Sequence, residues 1–124
     1  KEFFVYEIYF DITKVGISVN EKGDFFMNAS VAIQILPGVS DEEELIRIVD
    51  EVIDYIKSTG LNYYVGPCET SIEGDYDTLM EIVKNCQYVA AKAGCKSMNT
   101  YVKISYKPEG DVLTIEKKVT KHHK

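Results

Sequence analysis

The run from Tyr63 to Asp75, YYVGPCETSIEGD, decides how this chain folds. Its two halves, Tyr63 to Gly66 and Thr70 to Gly74, carry the aromatic and β-branched residues of short strands. Between them Pro67 fixes its own φ, and Gly66 leaves the backbone free just before it, so one strand ends and the next begins within a few residues. The stretch is a hairpin, and its neighbours set the topology.

Upstream, SDEEELIRIVDEVIDYIKST from Ser40 to Thr59 places Leu45, Ile48, Val49, Val52, Ile53 and Ile56 at helical spacing, with acids on the opposite face. Ser40 is the expected cap and Glu43 completes a capping box, while Asp41 to Glu44 match the helix dipole and Gly60 ends the helix. Acids in a first turn are a solvated, dipole-matched face rather than a metal site. Downstream, Leu79, Ile82, Val83, Cys86, Val89, Ala90 and Ala93 predict a second helix from Tyr76 to Ala93, capped by Asp75 and stopped by Gly94. Its small residues suit packing against a sheet. Strand signals from Ala29 to Leu36 and from Met98 to Tyr106 complete the order βαββαβ. That order predicts an α+β fold, the ferredoxin-like sandwich, with a four-stranded antiparallel sheet and both helices on one face.

Alternation then sorts the strand residues. Val31, Ile33 and Ile35, with Val102 and Ile104, are expected to meet the helices. Ser30, Gln34, Tyr101, Lys103 and Ser105, with Tyr64 and Glu73, fall on the other face. This second face starts bare, and it is either solvated surface or an interface and ligand floor. After a turn at Lys107 to Asp111, the residues from Val112 to Val119 form a short closing element, and His122 and His123 end in a frayed basic tail. The first 26 residues lie outside the βαββαβ order. Their strand-like runs at Phe3 to Phe10 and Val15 to Val19 leave open an added hairpin or a plain extension, so the regular domain is placed at residues 27–121.

The chain has 124 residues, 45% of them apolar and 27% charged, which suits one globular core. A net charge of −6, with Arg47 the sole arginine, disfavours a general nucleic-acid binder. No window has the roughly 18 unbroken apolar residues of a membrane span, and the start has no small-residue cleavage site, so a cytoplasmic protein away from membranes is expected. Cys68, Cys86 and Cys95 form no C-x-x-C pair; they read as reduced thiols, Cys86 as a small hydrophobe on a buried helix face.

Catalytic equipment is missing from the sequence. There is no G-x-S-x-G, no glycine-rich phosphate loop and no His within the folded region. Arg47 sits on a helix without such a loop, against acylphosphatase-like chemistry, and Tyr101 alone does not make an RNA-stacking sheet. The expectation is a non-enzyme without metal or cofactor. A carboxylate such as Glu73 could accept hydrogen bonds from the two-donor edge of an aminopyrimidine, with Tyr64 or Tyr101 stacked on the ring. The plainer reading makes Gly66, Pro67 and Gly74 turn residues and Glu73 a solvated acid.

Three patterns together resemble the small thiamine-binding protein family of ferredoxin-like fold: V-x-I-x-x-x-P from Val31 to Pro37, Y-x-V-G-P-x-x-T-x-I-E-G-D from Tyr63 to Asp75, and K-I-S-Y-K with L-T-I-E-K-K-V from Lys103 to Val119. The resemblance runs from Ala29 to about Lys121. It implies non-enzymatic binding of thiamine or its hydroxymethylpyrimidine part, in homo-oligomers, dimers or tetramers, built by packing open sheet faces. It points to Gly66, Pro67, Thr70, Ile72, Glu73 and Gly74, with Pro37 and Lys103. Ser105-Tyr106-Lys107 departs from an acid-and-arginine run found in many relatives. The expected ligand residues are thus Ser30, Gln34, Tyr64, Thr70, Glu73, Tyr101 and Lys103. The alternative is a structural or regulatory module that binds only copies of itself or a protein partner.

Overall fold

Ala29, Val31, Ile33 and Ile35 alternate with Ser30, Ala32, Gln34 and Leu36, and the first set is buried, so strand β1 (Ala29–Pro37) takes the centre of the sheet. The computed structural model describes residues 27–123, and the N-terminal segment with its candidate hairpin lies outside the described residues. β1 pairs antiparallel with β3 (Thr70–Gly74) on one side and β4 (Met98–Tyr106) on the other. β2 (Tyr63–Val65) adds to β3, giving the order β2-β3-β1-β4. Helices α1 (Glu42–Ser58) and α2 (Tyr76–Lys92) cover one face. This is the ferredoxin-like α+β architecture that the element order predicts.

The helix ends follow from local chemistry, with one correction. Asp41, not Ser40, caps α1: its extended backbone (φ −83°, ψ 124°) lets its carboxylate accept from the Glu44 amide at 3.3 Å. Asp75 caps α2 in the same way, accepting from the Thr78 amide at 3.4 Å. Both helices run into glycines at positive φ, Gly60 at 77° and Gly94 at 117°, a conformation that would strain any side chain.

Ile48 and Ile56 of α1, Leu79, Ile82, Cys86 and Val89 of α2, and Val31 and Ile72 of the sheet are almost wholly buried. Ile104 was expected among them, but it is exposed on the edge strand β4, and so is Tyr106. Asn85 Nδ2 donates to the Tyr55 hydroxyl at 3.0 Å, tying α2 to α1 inside the core. Burial pushes the Tyr55 hydroxyl up to about 12 and the Cys86 thiol up to about 12, so both stay protonated. Arg47 donates to the Glu44 carboxylate and to the Ala93 carbonyl at the end of α2, which gives the single arginine a structural task.

The opposite face is not bare. Gly110, at φ 94°, turns the chain back after β4, and Met27 N–H donates to Asp111 Oδ1 while Val112 N–H donates to the Met27 carbonyl. A short helix α3 (Ile115–Val119) and a 3-10 turn (Thr120–His122) then cross the sheet toward β2. Ile115 is buried, and His123 Nε2 lies 2.9 Å from the Tyr64 hydroxyl, so the tail expected to fray is docked. Among the described residues no helix is long and apolar enough to cross a membrane.

Candidate functional site

Two regions qualify as a site: the face under and beside this C-terminal strap, and a cavity at the far end of β1. Ser30, Gln34, Tyr64, Glu73, Tyr101 and Lys103 share the strap face, as alternation requires. Thr70 does not. It pairs with Ile33 and shares the helix-side face with it, buried.

The strap divides the six. Glu73 is only 3% exposed, and both of its carboxylate oxygens are engaged: Oε1 accepts from Asn62 Nδ2 at 2.6 Å and Oε2 from the Ile115 amide at 2.7 Å. Ser30, its partner in the sheet register, is buried with it. Tyr64 contacts His123. Gln34 and Tyr101 stand opposite each other on the uncovered half, and Lys103 Nζ reaches Glu69 Oε1 at 2.8 Å.

The cavity arises from a mismatch of strand lengths. β1 has nine residues, yet its pairing with β3 stops at Ile33 and Thr70. In antiparallel sheets alternate residues turn their peptide groups to opposite sides. The Asn28 carbonyl accepts from Lys107 beyond the end of β4, so the odd-numbered residues of β1 turn theirs toward β3. At Ile35 β3 has already ended, and its peptide groups meet a cavity of about 210 Å³ instead. Leu45, Val49 and Ile53 of α1 form one wall, and the loop from Val65 to Thr70 forms the other.

That loop is tight. Gly66 N–H donates to the Glu69 carbonyl at 2.9 Å, and a Cβ at Gly66 would stand 2.9 Å from the same oxygen, so glycine is required. The cavity is mainly hydrocarbon with a few polar groups at its rim: the Ile35 peptide, the Thr70 hydroxyl, Gln34 and Glu69. Pockets for drug-sized ligands run to roughly 300–1,000 Å³. This one is sized for a single substituted ring, the rest of a larger ligand extending past Pro67 and Cys68 at the loop.

Of the sequence-predicted ligand residues, only Gln34 and Thr70 line this cavity. Leu45, Val49, Ile53 and Glu69 were missed as site residues. Their signal was present: Leu45, Val49 and Ile53 form a second stripe at four-residue spacing beside the core stripe Ile48, Val52 and Ile56, more than a three-residue β2 can cover.

The match to known proteins covers this same region. A model of the family described as thiamine-binding protein matches residues 31–123. The chain belongs to the thiamine-binding protein family. It is 45% identical over 93 residues to a UPF0045 protein of Clostridium perfringens, spanning 75% of this chain and 95% of that protein. Among solved structures, it resembles a domain of unknown function, DUF77, from Bacillus cereus, with TM-score 0.68 and 31% identity, covering 78% of this chain and 91% of that one. A Thermotoga maritima protein named for thiamine biosynthesis or salvage superposes with TM-score 0.65 and 33% identity, covering 77% of this chain and 98% of that one.

Proposed function

We propose that the protein binds thiamine or its hydroxymethylpyrimidine moiety without chemical change, with the pyrimidine ring in the cavity between α1, β1 and the Val65–Thr70 loop. The observation that carries this reading is the unpaired edge of β1 at Ile35, set inside a hydrocarbon cavity in a chain of this family. A peptide edge offers one donor and one acceptor side by side, and an aminopyrimidine presents the complementary pair on one edge of a flat ring. The apolar walls supply burial for the ring faces, and the net charge of −6 suits a cationic thiazolium outside.

A non-catalytic role fits the inventory. His122 and His123, the only histidines in the chain, lie in the tail, and burial holds the Cys86 thiol protonated. The protein works as a homo-oligomer in this reading, through the uncovered half of the sheet face around Leu36 and Tyr101, both exposed apolar side chains. A cytoplasmic location belongs to the same proposal.

Isothermal titration with thiamine and with hydroxymethylpyrimidine tests the ligand. Saturable binding of both is expected, and it should be lost in Val49→Phe, whose ring would fill the cavity. Wild-type protein that takes up neither compound sinks the proposal. Native mass spectrometry separates it from a plain interaction module, which would show a clean apo oligomer even with thiamine added.

A second reading keeps Glu73 as the ligand acceptor. Its two present donors, a side-chain amide and a backbone N–H, are the kind of donors an aminopyrimidine carries, so a ligand could replace the strap there. Thiamine affinity unchanged in Val49→Phe but lowered in Glu73→Gln would favour it.

A further inference from the structure

At the other end of the sheet, β4 and the returning strap enclose a second cleft, of about 620 Å³. Lys107 enters it from the turn after β4, and Lys117 and Lys118 enter from α3. Among the described residues none of the three is paired with a carboxylate, whereas Arg47, Lys84 and Lys103 all are. Asp111 also lines the cleft, but its Oδ1 is taken by the Met27 amide. In a chain with 20 acidic residues against 14 basic ones, the lining of this cleft carries three lysines against one acid, Asp111, with Glu109 and Glu116 outside it.

We propose that this cleft binds an organic phosphate, its phosphoryl group held by Lys107, Lys117 and Lys118 and its organic body against Val112 and Leu113. A phosphate monoester carries about −1.5 to −2 charges at neutral pH and presents three acceptor oxygens, which matches three lysine donors. Thr114 adds a fourth donor: its oxygen already accepts from the Lys117 amide, so its hydroxyl hydrogen is free to point into the cleft. The volume exceeds what a bare anion fills and falls within the roughly 300–1,000 Å³ of small-molecule sites. Leu113 is 65% exposed, an apolar surface that a ring would cover, while Tyr106 turns its own ring to the helix-side face against Tyr76, 4.6 Å between centroids.

The inference does not rest on thiamine binding. Tyr106 pairs with Ala29, and the cavity begins at Ile33, so the two sites stand at opposite ends of β1. The cleft is built from two segments, β4 with its turn and the strap, so a bound phosphate would also clamp the strap onto the sheet.

Calorimetric titration of the full chain with phenyl phosphate, inorganic phosphate, sulfate and phenol tests it. Phenyl phosphate should saturate and bind more tightly than inorganic phosphate or sulfate, while phenol gives no binding. Lys107→Ala and Lys117→Ala should each weaken phenyl phosphate roughly tenfold, the loss of one charged hydrogen bond. Lys84→Ala on α2 should leave it unchanged, and thiamine titration should be the same in all three variants. The proposal is overturned if phenyl phosphate fails to saturate, if sulfate matches it, or if the two cleft variants bind like wild type.

Discussion

The two helices differ in how completely the fold uses them. α2 buries Leu79, Ile82, Cys86, Val89 and Ala90 almost entirely, resting on β1, β3 and β4. α1 rests on β1 and the three-residue β2, and it leaves Leu45 and Ile46 exposed, with Val49 and Ile53 only half-buried. Both helices carry a continuous apolar face, so the shortfall lies in the sheet beneath α1. A helix with more hydrocarbon than its sheet can cover leaves a cavity, and in this molecule that cavity meets an unpaired strand edge. One helix therefore buries its face almost fully, and the other gives up part of its burial to a cavity.

The difference can be broken by truncation. Ile82→Ala on α2 should cost about 2–5 kcal/mol, since a fully buried side chain is lost and a void remains. Urea unfolding reads this as a lowered midpoint with an unchanged slope.

The strap offers an intermediate case. Glu73→Ala removes the acceptor of two hydrogen bonds and leaves the buried Ile115 amide unpaired, so a loss of about 1–3 kcal/mol is expected. Amide exchange should quicken at Ile115, while the β1 amides keep their protection. Equal acceleration in both would mean that the strap is part of the cooperative core.

Val49→Ala on α1 should cost only about 1 kcal/mol, because its methyl groups already border the cavity. A loss as large as that of Ile82→Ala would erase the distinction between the helices.

The last effect, nil at neutral pH, is one of pH. Tyr55 and Cys86 are neutral when protonated, and the fold raises them from 10.0 and 9.0 to about 12. Their contribution to stability is complete below the unfolded values and is lost as pH rises through the folded ones. The urea midpoint should therefore hold through neutral pH and fall from about pH 9 upward. Under native conditions near neutrality, iodoacetamide should label the exposed Cys68 and spare the buried Cys86.

Periodicity and turn chemistry alone determined most of the fold. Asp75 and Gly94 bound α2 where a capping acid and a terminating glycine must stand, and Met98–Tyr106 forms the strand that its residues predict. These signals are readable because each is local, set within a turn or by the two-residue repeat of a strand. At α1 the local signal was ambiguous by one residue, and the backbone angle at Asp41 decided it.

The candidate site needed the tertiary structure. The stripe Leu45, Val49 and Ile53 looks in sequence like more core, and only the point where β3 ends opposite Ile33 turns it into a cavity wall. Glu73 looks like an open-face acid until the strap, more than forty residues later, places the Ile115 amide on its carboxylate. Lys117 and Lys118 of the second cleft are likewise ordinary tail residues until the turn at Gly110 brings them back beside Lys107. Sequence periodicity assigns each residue to a face of its own element. Which faces meet, and where a strand runs out of partners, depends on contacts between segments far apart in the chain.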